Sequence, residues 1–116
     1  MPHLTVEYSD NLEADLNVPA LLRDMHQALD GKYNIASSRI KTRAIRLADY
    51  IVGDQGRDAA MIHITFKLMQ GRTIEAQKEL SSLLQQIART HVPEDRHPHS
   101  AVTVEVVELV TATYCP

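Results

Sequence analysis

Two short stretches of this sequence, Pro2-His3-Leu4-Thr5-Val6 and Ile62-His63-Ile64-Thr65-Phe66, carry the same pattern 60 residues apart. In each stretch a histidine and a threonine alternate with apolar residues. Because side chains alternate between the two faces of a β-strand, each stretch predicts a strand with one polar and one apolar face. The repetition indicates that the chain is built from two similar units.

Each of these strands is followed by a segment with the spacing of an amphipathic helix. Asn17 can cap the first helix, which has Pro19 in its first turn and ends at Gly31, and Thr73 can cap the second. The apolar stripes are Leu21, Leu22, Met25, Ala28 and Leu29 in the first helix, and Leu80, Leu83, Leu84, Ile87 and Ala88 in the second.

A further strand is predicted after each helix, over residues 40–52 and 102–110, and the turn 53–56 separates the two halves. The chain is therefore expected to be one α+β domain over residues 1–116, made of two β-α-β units at about 2–53 and 58–112. We expect a four-stranded mixed sheet with two helices on one face. Apolar residues on both faces of the last strand predict that the uncovered face is buried by self-association.

Composition narrows the class of protein. The 116 residues are 44% hydrophobic and 23% charged, which is typical of a globular chain. A net charge of −3, 4% aromatic residues and no tryptophan argue against a nucleic-acid binder. We find no membrane-spanning run and no signal peptide at the start, and Cys115 is the only cysteine. We expect a cytoplasmic protein without a metal ion.

Pro2 is the first candidate for chemistry. If an aminopeptidase removes Met1, Pro2 becomes a free secondary amine at the start of a strand. Burial and nearby cations lower the pKa of an amine, so this nitrogen would be neutral and could act as a general base. The alternative is that Pro2 only begins a strand, a position where proline is tolerated. The catalytic interpretation requires that Met1 is absent, because the nitrogen is otherwise an amide.

Cationic residues are the second candidates. Arg39, Lys41, Arg43 and Arg46 occur within eight residues that contain no acid, and Lys41 and Arg43 project from one face of their strand. Arg72 lies where a strand meets the N-terminus of a helix, a place that favours anions. The alternative interpretation is a solvated, charged sheet edge.

Together these features resemble the tautomerase superfamily, whose members have a catalytic N-terminal proline, and within it the 5-carboxymethyl-2-hydroxymuconate isomerases. The resemblance rests on the opening from Pro2 to Leu12, on Ile40-Lys41-Thr42-Arg43, on the strand from His63 to Lys67 and on Gly71-Arg72-Thr73. The second half is also similar to 4-oxalocrotonate tautomerase, through Leu68-Met69-Gln70-Gly71-Arg72-Thr73.

This resemblance implies a cofactor-independent, metal-free homotrimer in which Pro2 moves a proton within an unsaturated 2-hydroxy acid. The implied substrate is a small di- or tricarboxylate such as 5-carboxymethyl-2-hydroxymuconate, in aromatic-compound catabolism (homoprotocatechuate degradation). Arg72 and a cation of the second strand would hold its carboxylates and developing oxyanion. The family often has Ile-Arg-Ser-Arg where this chain has Ile40-Lys41-Thr42-Arg43, so we favour Arg43 as that cation and keep Lys41 as its rival.

Three other functions remain open at this stage. Two keep the fold and change the reaction: a phenylpyruvate-type keto–enol tautomerase, and a hydratase-like relative that uses protonated Pro2 as an acid. The third is a non-catalytic trimeric binding protein. A panel of substrates with ultraviolet detection separates the enzymes, and loss of function on replacing Pro2 excludes the binding protein.

Overall fold

The computed structural model describes residues 1–116 and contains six regular elements. Strand β1 (His3–Ser9), helix α1 (Val18–Leu29) and strand β2 (Lys41–Leu47) form the first unit. Strand β3 (Ala60–Met69), helix α2 (Ile74–His91) and strand β4 (Ser100–Leu109) form the second. None of the helices is both long enough and apolar enough to cross a lipid bilayer.

The four strands form one mixed sheet in the order β2-β1-β3-β4. Each unit contributes a parallel pair, β1 with β2 and β3 with β4, and the two units join through the antiparallel pair β1 and β3. The two histidines of the repeated pattern thereby come to equivalent places, with His3 opposite Lys67 and His63 opposite Glu7. This arrangement confirms the predicted fold class.

The helices cover one face of the sheet. Apolar residues at alternating strand positions are fully buried there together with part of each helix stripe, in a core that includes Leu4, Val6, Ile62, Ile64, Phe66, Leu68, Leu21, Met25, Leu29, Leu80, Leu84 and Ala88. Burial of a Leu, Ile or Phe side chain contributes about 1.5–3 kcal/mol, so this layer supplies most of the hydrophobic stabilisation. The helix caps are as predicted, with Asn17 accepting from the Ala20 amide and Thr73 from the Ala76 amide.

The other side of the sheet, which we call the open face, carries the polar set of the strand pattern. Its residues include His3, Thr5, Lys41, Arg43, Ile45, His63, Thr65, Thr103 and Glu105. His63 bridges two of them, since its ring nitrogens lie 2.7 Å from the Thr103 hydroxyl and 2.9 Å from a Glu105 carboxylate oxygen. The hydrogen bond with His63 lowers the pKa of the Glu105 carboxyl.

The second strand is shorter than predicted. Residues 40–52 were expected to be extended, whereas β2 ends at Leu47. Its partner β1 ends at Ser9, which is the residue paired with Leu47, and the chain then enters a short 3-10 turn at Asp10. Without a neighbouring strand to pair with, residues 48–52 leave the sheet.

Candidate active site

Pro2 lies buried immediately before β1, at the end of the sheet where β2 also begins. Its carbonyl oxygen accepts a hydrogen bond from the Lys41 amide, 3.0 Å away, which joins the starts of the two parallel strands. Met1 is partly exposed and forms an amide with the Pro2 nitrogen. Removal of Met1 would therefore turn a buried amide nitrogen into a buried amine.

A cavity of about 180 Å³ lies beside Pro2. Two guanidinium-bearing residues line it, Arg39 and Arg72, together with Asn34, Met69 and Met1. A larger groove of about 430 Å³ lies between α1 and β2 but shares no residue with this cavity. The cavity beside Pro2 is therefore lined by the buried Pro2 and by two cationic side chains.

Arg72 is held by main-chain oxygens. Its Nε and Nη2 donate to the Tyr33 carbonyl at 3.2 and 3.0 Å, and its Nη1 donates to the Met69 carbonyl at 3.3 Å. The Tyr33 carbonyl is presented by a turn in which Tyr33 and Asn34 both have left-handed backbone angles, with φ of 47° and 65°. For residues other than glycine this conformation costs about 1–3 kcal/mol, and such strain is often found at functional sites.

The cations near Pro2 have no acidic partner. Neither Arg39, Lys41 nor Arg72 forms an ion pair with a carboxylate of this chain. The α-amine of Met1 lies near these cations, and its pKa is lowered by burial first and then by the charges of Lys41, Arg39 and Arg72. The surroundings of the Met1 α-amine therefore disfavour a positive charge and favour an anion.

The two strand cations of the sequence analysis lie elsewhere. Lys41 and Arg43 are both exposed on the open face, opposite His3 and Thr5, and neither lines the Pro2 cavity. Arg43 donates through Nη1 to Nδ1 of His3 at 3.0 Å. Lys41 still acts on the N-terminal amine through its charge. The structure thus brings Pro2 and Arg72 together and leaves Arg43 outside.

Arg39 lines the cavity, whereas the sequence analysis named it only as a member of the cationic cluster and gave it no role in the site. It ends a short 3-10 turn, Ser37–Arg39, rather than lying on a strand, so the parity argument for Lys41 and Arg43 did not reach it. Parallel strands start at the same edge of a sheet. The residues just before β2 must therefore lie near Pro2, which precedes β1, and this rule could have found Arg39, two residues before β2.

This arrangement can bind an acid and move a proton. Two guanidinium groups without carboxylate partners suit a carboxylate or an enolate oxygen. A neutral amine at Pro2, formed by removal of Met1, could accept a proton in the same cavity and return it at another atom of the same molecule. No group of three or more His, Cys, Asp or Glu side chains is placed to hold a metal ion.

Comparison with known proteins gives a family for this chain. The family described as 5-carboxymethyl-2-hydroxymuconate isomerase matches residues 2–115. A 5-carboxymethyl-2-hydroxymuconate Delta-isomerase of Escherichia coli is 28% identical over 91 residues, which are 78% of this chain and 72% of that protein.

Solved structures give the same result. A 5-carboxymethyl-2-hydroxymuconate isomerase from Deinococcus radiodurans R1 has a TM-score of 0.86 and 28% identity, over 99% of this chain and 87% of that one. A fused 4-OT symmetric trimer has the same fold, with a TM-score of 0.76 and 19% identity over 98% and 90% of the two chains. The chain therefore belongs to the 5-carboxymethyl-2-hydroxymuconate isomerase family and is an enzyme of the isomerase class.

Proposed function

We propose that this chain ketonises an unsaturated 2-hydroxy acid, with Pro2 as the general base after Met1 has been removed. The observation that carries the proposal is the cavity in which Pro2 lies with Arg39 and Arg72, two cations that no acidic residue neutralises. 5-Carboxymethyl-2-hydroxymuconate is the first substrate to test, because the E. coli relative carries its name.

In the proposed reaction the Pro2 nitrogen takes the proton of the 2-hydroxyl group. The O–H electron pair becomes the π bond of the new carbonyl, and the double bonds of the conjugated chain shift away from it. Pro2 then returns the proton to a carbon at the far end of that chain, which restores the neutral amine. A base of suitable pKa contributes about 10²–10⁴-fold to such a rate.

Arg39 and Arg72 have the binding role in this proposal. One guanidinium pairs with the carboxylate next to the reacting oxygen, and the other lies close to the negative charge that develops on that oxygen. We assign Arg39 to the role for which the sequence favoured Arg43 with Lys41 as its rival, because Arg39 lines the cavity. Lys41 contributes through its charge, which lowers the pKa of the Met1 α-amine and would act in the same direction on the adjacent Pro2 nitrogen.

We also propose that the chain acts as a homotrimer that buries the open face. Ile45 is largely exposed there, and Val107 and Leu109 are only half-buried, so the face offers apolar surface to other copies. A neighbour of the same fold is described as a symmetric trimer. Sedimentation equilibrium should give three times the 13.0 kDa chain mass, whereas a monomer at working concentration contradicts this part of the proposal.

The test of the function begins with the N-terminus. Mass spectrometry of the purified protein should show that Met1 is absent, and ultraviolet spectroscopy should show conversion of the dienol to the enone. Pro2→Ala should lower kcat by about 10²-fold, at the low end of the range for general bases, because the variant keeps an amine at the same place.

The matched control is the same chain with an N-terminal extension that cannot be removed. It keeps every side chain of the cavity but leaves the Pro2 nitrogen as an amide, so we expect no measurable isomerisation. Wild-type activity in this extended chain would refute Pro2 as the base.

A further inference from the structure

The open face carries a group of cations that lies outside the Pro2 cavity. Lys41, Arg43 and Lys67 project from this face near the end of the sheet where Pro2 lies, and all three side chains are exposed. We call these three residues the cationic patch. Lys41 and Lys67 pair with His3 from its two sides, so their Cα atoms are two strand spacings, about 10 Å, apart.

No carboxylate neutralises the cationic patch. None of its three residues forms an ion pair with an acidic group of this chain. The Glu105 carboxylate of the same face is bound by His63, 2.9 Å away, and this hydrogen bond lowers the pKa of Glu105 more than the charge of Lys67 does. Glu7 is four residues along β1 from His3, about 13 Å away. The patch is therefore left with its full positive charge.

His3 lies between the two lysines as a neutral ring. Its Nδ1 accepts a hydrogen bond from Arg43 at 3.0 Å, so its Nε2 carries the hydrogen and donates to the Tyr114 hydroxyl, 2.9 Å away. Burial, and then the charges of the cationic patch, lower the pKa of His3. A neutral imidazole does not offset the charge of Arg43, so the contact leaves the patch cationic.

The proposed homotrimer brings three copies of the patch together. In a closed trimer with a threefold axis, equivalent residues of the three chains lie at the same height around that axis. Burial of the open face therefore places the lysines of all three chains at one end of a shared interior, where solvent screens their repulsion less than at a free surface. Burying unpaired charge is costly unless an opposite charge accompanies it.

We infer that the homotrimer binds one multivalent tetrahedral oxyanion of the phosphate type on its threefold axis, held by Lys41 and Lys67 of each chain. A tetrahedral oxyanion has a threefold axis of its own, so three of its oxygens face three identical chains. Lysine binds phosphate as a point charge, whereas a planar carboxylate matches the guanidinium forks of the Pro2 cavity. The inference rests on the trimer of the proposed function but not on its proton transfer.

The experiment titrates inorganic phosphate into the purified protein by calorimetry, at low ionic strength and neutral pH. We expect saturation at one phosphate per three chains. Lys67→Met removes one charge per chain from the site and should weaken binding by about tenfold or more, because contacts between charged groups are strong. The matched control is Lys78→Met, which removes an exposed lysine from α2, in the layer away from the open face, and should change binding by less than about twofold.

Binding in the Pro2 cavity is distinguished by its stoichiometry, because that cavity occurs once in every chain. Arg72→Ala should leave phosphate bound at one per three chains. Raising the sodium chloride concentration should weaken phosphate binding to the wild-type trimer, which tests the charges without any substitution. Saturation at one phosphate per chain that Arg72→Ala abolishes, or equal affinity in Lys67→Met and wild type, overturns the inference.

Sedimentation equilibrium and the isomerase assay separate this inference from the proposed function. Lys67→Met should remain a trimer with the kcat of wild type, because Lys67 does not line the Pro2 cavity. A trimer that isomerises its substrate but binds no phosphate overturns the inference and leaves the proposed function intact. A trimer that binds phosphate as expected but isomerises no 2-hydroxy acid refutes the proposed reaction alone. A monomer in solution contradicts both the assembly and the axial site.

Discussion

Nδ1 of His3 accepts a hydrogen bond from the guanidinium of Arg43, 3.0 Å away. An imidazole that accepts at one nitrogen is neutral, and burial and the charges of Arg43 and Lys41 lower its pKa. The contact also engages Arg43 on the open face, outside the cavity of Pro2. Arg43 is therefore suited to hold His3 and through it Tyr114, whereas Arg39 is available to a ligand.

Arg39→Ala should raise KM for a carboxylate substrate by about 10-fold or more, because a hydrogen bond to a charged group contributes about 1.5–3 kcal/mol. Arg43→Ala should change KM by less than about threefold. Steady-state kinetics on both variants measure the difference. Arg57→Ala is the matched control, since Arg57 is exposed and pairs with Asp10, which lies at the opposite end of β1 from Pro2. A large effect of Arg43→Ala with none for Arg39→Ala would restore the assignment made from the sequence.

Arg72→Ala should also raise KM by about 10-fold or more, and Arg72→Lys should recover only part of this loss, because lysine cannot form the bidentate contact. Arg72 additionally holds the carbonyls of Tyr33 and Met69, so urea unfolding must accompany the kinetics. Unchanged KM in a folded Arg72→Ala protein would remove Arg72 from the binding role.

The pH dependence follows from the charges around the amine. A base must be neutral to act, so kcat/KM should fall on the acid side as the Pro2 nitrogen becomes protonated. Burial, Lys41, Arg39 and Arg72 lower the pKa of the Met1 α-amine. We expect the same charges to keep the neighbouring Pro2 nitrogen neutral to lower pH once Met1 has been removed. Removing one of these charges with Lys41→Met should shift the acid limb of the pH–rate profile to higher pH. A shift to lower pH, or none, would contradict the electrostatic account.

His3 gives a prediction for stability. Its pKa is lower in the folded chain than the unfolded value of about 6.5, so the unfolded chain takes up a proton first as the pH falls. The contribution of His3 to the free energy of unfolding should therefore be constant above about pH 7.5. It should be lost as the pH falls through about 6.5 towards the pKa of His3 in the folded chain. Urea unfolding of His3→Gln should show a smaller loss over this interval.

The control for this experiment is His99→Gln, which removes an exposed histidine that does not contact His3. The prediction is contradicted if His3→Gln and wild type lose the same free energy of unfolding between about pH 7.5 and 5. In that case the charges of Arg43 and Lys41 do not lower the pKa of His3 in the folded chain.

Much of the fold could be predicted because its pattern is local. Alternation of His and Thr with apolar residues defines β1 and β3, and Asn17 and Thr73 define the helix starts. The end of β2 could not be predicted, because it depends on where the partner strand stops, at Ser9.

The residues of the candidate site could also be predicted only in part. Pro2 and Arg72 could be recognised from the sequence, because one precedes a predicted strand and the other follows one. The antiparallel pairing of β1 with β3 then brings them together. Arg39 depends on the turn before β2 and on contacts with residues distant in sequence. The alternation of side chains along a strand could not distinguish Arg39 from Lys41 and Arg43, which project from the face opposite the helices.

The oxygen that anchors Arg72 belongs to the main chain of Tyr33, not to a side chain. The direction of this arginine is consequently insensitive to which side chain position 33 carries, provided that the left-handed turn is kept. Any residue at 33 that tolerates the left-handed conformation can therefore present the same carbonyl, while a proline at 33 or 34, whose ring holds φ near −65°, would turn the carbonyl away.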